Sequence, residues 1–416
     1  MKRSLFALLS VTLIAVASCA PPTKPSTKVV KPVRSNDTPV MQSENPISSR
    51  GVIAPGTPAI KVALLVPLSG DSLAVGNAMM DAANMALYDS YLSVPSEQIR
   101  SQIILLPKDT GSTAADAPRV ARQALEQGAT FVIGPLFSQS VLQVQPITQA
   151  AGVPMLTFSN TKEIAKPDTF IFGFLPEQQV QRVADYAFLH NLRRVALLAP
   201  NDAYGQKIQE SLTNIYGKKG GAVTPIELYA PSPANIDAAV ARLASYNDAN
   251  QDQAFQAIFV ADGGMQMKNI ISSIKKTNID LSKIKLLGTG LWDDPEMSKM
   301  PEMHGAWFSS SPPDISRAFE HRFKVIYGYK PIRLASLAYD AVSWITQLTM
   351  NNPNAIIDMQ ALTSPEGYLS PTNGLVRLNK DGTNDRKLAI MEVTPSGFRV
   401  IEPAPKTFDP PGIELE

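Results

Sequence analysis

Short apolar runs alternate with helix-like stretches from residue 61 to residue 287. Lys61–Val66 is a β-branched and leucine-rich run that predicts a strand, and Gly76–Tyr88 carries apolar residues at helical spacing. The same alternation continues through residues 103–158 and 194–287. Strands alternating with helices predict βαβ units, with parallel sheets covered by helices on both faces. Two such series, roughly 110 and 130 residues long, predict an α/β protein of two lobes.

The C-terminal part has a different pattern. Two helices are predicted over Ile315–Tyr327 and Leu334–Met350, the second with an apolar stripe at helical spacing. Three short strands are then predicted to close the chain as a meander: Gly374–Leu378, Leu388–Val393 and Phe398–Ile401. The Asn-Lys-Asp-Gly sequence at 379–382 predicts a turn between the first two of these strands.

The N-terminus has the pattern of a secretory leader. Lys2 and Arg3 precede an apolar run of 13 residues, Leu5–Ala17. A bilayer span needs about 20 such residues, whereas a signal-peptide core is this short. The run ends in Val16-Ala17-Ser18-Cys19, which resembles the lipobox of bacterial lipoproteins. The resemblance implies removal of 1–18 as a signal peptide and lipidation of Cys19; the alternative is an ordinary signal peptide with a chance cysteine.

Residues 19–59 are predicted to be a tether between the lipid and the body. Eight prolines fall between residues 21 and 58, where no strand or helix period persists and no aromatic residue occurs. Alanine, rather than aspartate, follows Cys19, and lipoprotein sorting rules then favour the outer membrane over the inner membrane. The predicted globular body covers 60–402, and residues 403–416 are a tail.

Composition excludes several classes of protein. The formal charge is +1, and no basic stripe indicates nucleic-acid binding. The single cysteine excludes an internal disulfide, a cysteine-rich zinc site and a CxxC redox centre. The three histidines (His190, His304 and His321) are far apart, and the common hydrolase, phosphate-loop, metalloprotease and dinucleotide motifs are absent from the sequence. We therefore expect no catalytic residues, no metal and no cofactor.

Several motifs, in order along residues 60–402, resemble type 1 periplasmic-binding proteins of the leucine-binding group. They are Val62–Gly70 with Gly76, Lys108-Asp109-Thr110, Ile133-Gly134-Pro135, Gly152-Val153-Pro154, Asn201–Gly205 and Tyr339-Asp340-Ala341. Further segments resemble the penicillin-binding protein activator lipoproteins, a subgroup with such a module. These are Gly134–Phe137, Phe158–Asn160, Gly173–Val180, Leu291–Pro295 and Leu334–Ala341.

The resemblance implies a two-lobed fold with three crossovers between the lobes. The crossings would lie near 173–175, 304–310 and 360–372. Lobe one would then contain 60–173 and 308–365, and lobe two 174–307 and 366–402.

A cleft between the lobes would be lined by loops at the carboxyl ends of strands. Ser69 follows the first strand, and relatives imply that Ser138, Ser159 and Thr161 hold a ligand's α-carboxylate. From lobe two the resemblance implies an aromatic residue, Tyr204, and an acid, Asp293, for an α-ammonium group. Asp262 is another candidate at the cleft edge. Serine, threonine and aspartate also cap helices and form turns, so a purely structural role is the alternative at each position.

Two functions follow from the resemblance. One is a tethered regulator of envelope biogenesis that contacts a peptidoglycan synthase. The other is the substrate-binding protein of a branched-chain amino-acid ABC importer, which would contact a permease and bind an amino acid. The lipid and long tether favour the regulator, since a receptor must shuttle to a permease in the inner membrane. The third class, a hydrolytic envelope enzyme, is not supported by any set of candidate catalytic residues in the sequence.

The lipobox predicts that Cys19 is the site of acylation. Cys19→Ala should abolish incorporation of labelled palmitate, because the sequence contains no second thiol. Ser18→Ala, which keeps a small residue before the cysteine, should retain the label. Palmitate that persists in the Cys19→Ala protein would contradict the assignment.

Overall fold

The computed structural model describes residues 53–250, 254–350, 352, 354 and 356–408. Cys19, the predicted signal peptide and most of the predicted tether lie outside these residues, as does the end of the predicted tail. Within the described part of the chain, no helix has the length and apolarity needed to cross a membrane.

The first lobe is built on a five-stranded sheet in which all neighbours are parallel. Its strands are β1 (Ala59–Val66), β2 (Gln102–Asp109), β3 (Phe131–Ile133), β4 (Met155–Thr157) and β5 (Thr169–Ile171), in the order β2-β1-β3-β4-β5. The helices between them are α1 (Leu73–Leu92), α2 (Ala117–Glu126) and α3 (Ser138–Ala150). Residues 62–66 are wholly buried, as expected for a strand with helices on both faces.

The second lobe is built on a seven-stranded sheet. Its parallel part contains β6 (Arg194–Pro200), β7 (Ala222–Tyr229), β8 (Ala257–Val260), β9 (Lys285–Gly288) and β10 (Trp307–Ser310). Helices α4 (Pro176–Leu189), α5 (Ala203–Lys218), α6 (Pro233–Ala249), α7 (Gly264–Ile274) and α8 (Pro295–Ser298) occur in the same stretch. Two antiparallel strands, β14 (Ala389–Thr394) and β15 (Gly397–Glu402), extend the sheet beside β10.

The chain returns to the first lobe between β10 and β14. Helices α9 (Pro313–Tyr327), α10 (Ala335–Met350) and α11 (Met359–Leu362) all contribute side chains to the first lobe's core. A small antiparallel sheet follows, formed by β11 (Tyr368–Ser370), β12 (Gly374–Leu378) and β13 (Asn384–Arg386). Val376 and Leu378 of β12 are buried in the same core.

The predicted two-lobed α/β fold with parallel-rich sheets is confirmed. The closing meander is wrong, because β12 pairs with β13, a strand the apolar pattern misses, and not with β14. The predicted lobe boundary at 307/308 also changes, since β10 hydrogen-bonds to β9 and β14 in the second sheet. Tyr368, Val376 and Leu378, in a segment predicted for lobe two, instead pack into the first core.

Each lobe has one glycine that fixes the start of a helix against the end of a strand. A Cβ atom at Gly76 would lie 1.8 Å from the carbonyl oxygen of Pro67, and one at Gly205 would lie 1.8 Å from that of Pro200. Only glycine permits so close an approach of backbone to backbone. The first turns of α1 and α5 are thereby held at the carboxyl ends of β1 and β6.

Helix α10 is fastened to the small sheet by the wholly buried carboxylate of Asp340. One carboxylate oxygen accepts from the Thr372 N–H (3.0 Å) and the other from Asn373 Nδ2 (2.8 Å). Burial raises the pKa of the Asp340 carboxyl, and the hydrogen bonds it accepts oppose that rise. The carboxylate therefore serves as an acceptor for donors that would otherwise be buried without partners.

We expect Asp340→Ala to lower the free energy of unfolding by about 2–4 kcal/mol, because it leaves buried donors unsatisfied. Asp340→Asn, which keeps one acceptor oxygen, should cost less. Urea denaturation measures both, with Asp314→Ala on the exposed face of α9 as the control. Equal effects at positions 340 and 314 would contradict this role.

Candidate functional site

A cavity of about 290 Å³ lies between the lobes. The first lobe contributes the start of α3, the loop after β4 and the segment before α10; the second contributes the start of α5 and the loop after β9. The lining side chains are Leu136, Phe137, Ser138, Phe158, Asn160, Phe174, Pro176, Gln179, Tyr204, Leu291, Arg333 and Leu334. Carboxyl ends of parallel strands meet at this edge, where ligands of open α/β sheets bind.

Three of the hydroxyls chosen from the sequence form one cluster on the first-lobe wall. Ser138 Oγ lies 2.8 Å from Ser159 Oγ and 2.6 Å from Thr161 Oγ1. The Thr161 N–H also donates to Ser159 Oγ (3.1 Å). Two bonds among three hydroxyls use two of the three hydrogens, so one hydrogen remains for another acceptor. Ser138 lines the cavity, and the cluster can therefore donate to a bound polar group.

Tyr204 faces this cluster from the second lobe. It lies in the first turn of α5 and lines the cavity, with its hydroxyl 3.0 Å from Thr289 Oγ1. Burial raises the pKa of Tyr204 to about 12, although the Thr289 hydrogen bond opposes that rise. The phenol is therefore neutral at physiological pH and available as a hydrogen-bond donor or acceptor.

Of the predicted residues, only Ser138 and Tyr204 line the cavity; Ser159, Thr161, Ser69 and Asp293 do not. Ser69 is exposed, and its carbonyl oxygen accepts from Ser112 Oγ (3.1 Å). Asp293 is also exposed, and its carboxylate accepts from Ser310 Oγ (2.5 Å). Asp294 caps α8 by accepting from the Glu296 N–H (3.0 Å). The acid predicted to meet an α-ammonium group thus has another partner.

Asp262 is likewise engaged elsewhere. Its carboxylate accepts from the Tyr229 hydroxyl (2.7 Å) and from the Gly263 N–H (2.8 Å). Its carbonyl oxygen accepts from the buried indole of Trp292 (2.8 Å). Among the described residues that line the cavity, none is a carboxylate, a histidine or a cysteine.

Arg333 is the charged residue of the cavity wall and is not among the residues predicted from the sequence. Its guanidinium carbon lies 4.1 Å from the centre of the Phe174 ring, and a Cβ at Gly290 would lie 2.5 Å from Nη2. That Nη2 atom is buried and has no hydrogen-bond partner in the described part of the chain. Burial lowers the pKa of Arg333, which the charge of Asp293 opposes. A lone arginine in the apolar run Ile332-Arg333-Leu334-Ala335 was the available sequence signal.

A second contact between the lobes is an ion pair. Lys207 Nζ on α5 lies 2.6 Å from Glu163 Oε1 of the first lobe, and 3.4 and 3.8 Å from carboxylate oxygens of Glu210 and Glu177. The hydrogen bond to Lys207 lowers the pKa of the Glu163 carboxyl, and the same bond raises the pKa of Lys207. The pair is therefore charged throughout the neutral range and links the lobes electrostatically.

Taken together, the cavity is apolar on most of its surface, with hydroxyl, amide and guanidinium donors converging on it. This arrangement can bind a small ligand. No cluster of three or more metal-binding side chains occurs within the described residues. The fold and the cavity define a two-lobed α/β binding protein.

The chain belongs to the periplasmic binding protein family, as predicted. The family model described as "Periplasmic binding protein" matches residues 59–398. Two solved structures show the same fold. An ABC transporter substrate-binding protein from Sphaerobacter thermophilus has a TM-score of 0.68 and 17% identity, covering 83% of this chain and 97% of its own. The branched-chain amino acid transporter substrate binding protein LivJ of Streptococcus pneumoniae, solved in complex with isoleucine, has a TM-score of 0.62 and 20% identity. The match covers 83% of this chain and 100% of LivJ.

Curated relatives cover less of the chain. An uncharacterized protein of Rickettsia prowazekii is 26% identical over 54% of this chain and 59% of its own length. The penicillin-binding protein activator LpoA of Photobacterium profundum is 24% identical over 45% of this chain, and that of Haemophilus ducreyi is 28% identical over 36%. The matches span only 29% and 24% of those two activators. The predicted resemblance to this group is thereby supported.

The ion pair between the lobes predicts the effect of a charge reversal. Lys207→Glu places a fourth carboxylate beside Glu163, Glu177 and Glu210, so we expect a loss of about 1 kcal/mol in stability. Repulsion should also increase the radius of gyration in small-angle scattering. The double variant Lys207→Glu/Glu163→Lys should recover part of both losses.

Lys406→Glu is the control, because Lys406 is exposed and lies outside the helices of the described chain. If reversal at 207 changes stability and radius no more than reversal at 406, the ion pair does not link the lobes in solution.

Proposed function

We propose that this chain is a non-catalytic lipoprotein of the cell envelope that activates a peptidoglycan synthase. Its binding-protein module is the part that contacts the synthase. The proposal rests on the curated relatives named as penicillin-binding protein activators, and on the chemistry of the cleft. The alternative is a substrate-binding protein for a branched-chain amino-acid ABC importer.

The observation that favours the activator over the importer protein is the lack of a carboxylate among the described cavity residues. An α-amino acid brings a positively charged ammonium group, which a buried site stabilises with an acid. Asp293 and Asp262 are already hydrogen-bonded elsewhere, and the charged residue that does line the cavity is Arg333. This chemistry disfavours an amino-acid receptor and leaves the activator as the better supported function.

One observation favours the importer protein as the second candidate. Ser138 lines the cavity and is hydrogen-bonded to Ser159 and Thr161, an arrangement that suits a ligand carboxylate. A receptor of this kind would bind leucine or isoleucine and stimulate its transporter. The regulator would do neither.

The anchor and the tether complete the proposed mechanism. Acyl chains on Cys19 would hold the protein on a membrane, the outer membrane being favoured, because two or more lipid chains bind a bilayer stably. About forty proline-rich residues, at about 3.1 Å each, would reach on the order of 100 Å. The body would thus contact a synthase at a distance from its own anchor.

The cavity also supports the proposed lack of catalysis. Nucleophilic catalysis needs a nucleophile within hydrogen-bond reach of a base. The cavity hydroxyls lie next to one another, and none has a histidine or carboxylate partner among its described contacts. The module would therefore act by binding the synthase and would not catalyse a reaction itself.

We expect the purified chain to bind a peptidoglycan synthase from the same cell in a pull-down and to raise its rate of glycan polymerisation. The unlipidated Cys19→Ala protein should bind and activate equally in solution, because the body carries the contact. In cells the same variant should lose activation, since it is released from the membrane.

Absence of binding by both proteins would refute the activator function. Binding of leucine or isoleucine, with stimulation of a transporter's ATPase, would instead establish the importer function.

A further inference from the structure

We infer that the cleft binds an organic anion that carries no ammonium group, with the acid group of the ligand paired to Arg333. The expected class is a small carboxylic acid with an apolar body. The inference goes beyond the proposed function and does not depend on it, because ligand binding is measured without a synthase.

Arg333 is held in place at the cavity wall with part of its hydrogen-bonding capacity unused. Phe174 covers one face of the guanidinium at 4.1 Å, and Gly290 leaves the space that its Nη2 atom occupies. Nη2 itself is buried against Gly290 without a partner among the described residues. Nε and Nη1 also make no hydrogen bond within the described part of the chain, and neither is among the fully buried unpartnered atoms. A partly buried guanidinium without acceptors is costly, and a carboxylate in the cavity would offset that cost by bonding these two nitrogens.

A second arginine, Arg386, is buried and shows what a structural role looks like in the same protein. Arg386 also lies over the Phe174 ring, at 5.0 Å, and also has unpartnered atoms. However, its Nη2 donates to the Phe172 carbonyl (2.5 Å), and the carboxylate of Asp340 favours its charge. Arg386 does not line the cavity, whereas Arg333 does. The two arginines therefore differ in the feature that matters, which is access to a ligand.

The charge of the cavity selects the class of ligand. Its described lining contains one cationic side chain, Arg333, and no carboxylate. A carboxylate would form a charge-assisted pair with the guanidinium. An ammonium group in the same cavity would be repelled by Arg333 and would lose its hydration without a compensating acid. The geometry thus favours an acid over the corresponding amino acid.

The other side chains that line the cavity favour a ligand whose remaining part is apolar. Phe137, Phe158 and Phe174 line the cavity together with three leucines. The volume of about 290 Å³ is near the lower limit of small-ligand sites, roughly 300–1,000 Å³. The spare hydrogen of the Ser138 cluster and the Tyr204 hydroxyl remain for a second polar atom. A branched or aromatic monocarboxylate fits these requirements.

The test uses three probes that differ in charge but share the leucine carbon skeleton: 4-methylpentanoate, 4-methylpentanamide and leucine. Their dissociation constants are measured by calorimetry with the purified full chain, and thermal shifts are recorded in parallel. We expect 4-methylpentanoate to bind about 10- to 100-fold more tightly than the amide or leucine, as one charge-assisted contact predicts. Benzoate against benzamide repeats the comparison with an aromatic body.

Arg333→Met separates a ligand role from a structural one. Without ligand, the variant should melt at the same temperature as the wild type or higher, because an unpaired buried charge has been removed. It should lose the stabilisation by 4-methylpentanoate. Arg333→Lys keeps the charge and should retain a preference for the carboxylate over the amide, while Arg119→Met, at an exposed position on α2, should bind as wild type.

Four results would overturn the inference: equal or tighter binding of leucine, no binding of either carboxylate, unchanged binding in Arg333→Met, or a marked loss of stability in unliganded Arg333→Met. If Arg333→Met does not fold, the arginine is structural and the inference fails in the same way. None of these results bears on activation of a synthase, so the two proposals fail separately.

Discussion

The position of the two lobes depends on the segment that leaves the first lobe, Phe172-Gly173-Phe174. Asn384 Nδ2 donates to the carbonyl oxygens of Ile171 (2.9 Å) and Gly173 (3.0 Å), and so ties this segment to β13. A Cβ at Gly173 would lie 2.2 Å from the carbonyl oxygen of Ser159, which brings the segment against the hydroxyl cluster. One short stretch of backbone thereby sets both the junction of the lobes and the floor of the cavity.

The Phe174 ring, at the end of this segment, contacts two charged side chains. Two guanidinium groups lie over it, those of Arg333 at 4.1 Å and Arg386 at 5.0 Å. An aromatic face stabilises a cation that has lost its water. Arg386 then contributes to the buried network around Asp340, while Arg333 remains at the cavity with an unpartnered atom. The same ring thus supports a structural cation and a cation available to a ligand.

Membership of the periplasmic binding protein family does not decide between transport and regulation, because one fold can serve several functions. The distinction comes from the site. The first-lobe wall keeps a hydroxyl cluster suited to a carboxylate, whereas the second-lobe wall has no described acid for an ammonium group. A module with this cleft is consistent with contact to a partner protein and with binding of an acid, and the two properties are chemically independent.

The two-lobed α/β class can be read from the sequence alone, as can the loops that carry Ser138, Ser159, Thr161 and Tyr204. These features are local: strand and helix periods are read within a few turns, and loops at strand ends meet at one edge of a parallel sheet. Other features depend on contacts between residues that are distant along the chain, and only the folded structure reveals them. Strand β13 has little apolar pattern and is fixed by pairing with β12, and Arg333 becomes a cavity residue only because Phe174 and Gly290 surround it. The hydrogen bond that Asp293 accepts from Ser310 is likewise a contact that residue spacing does not reveal.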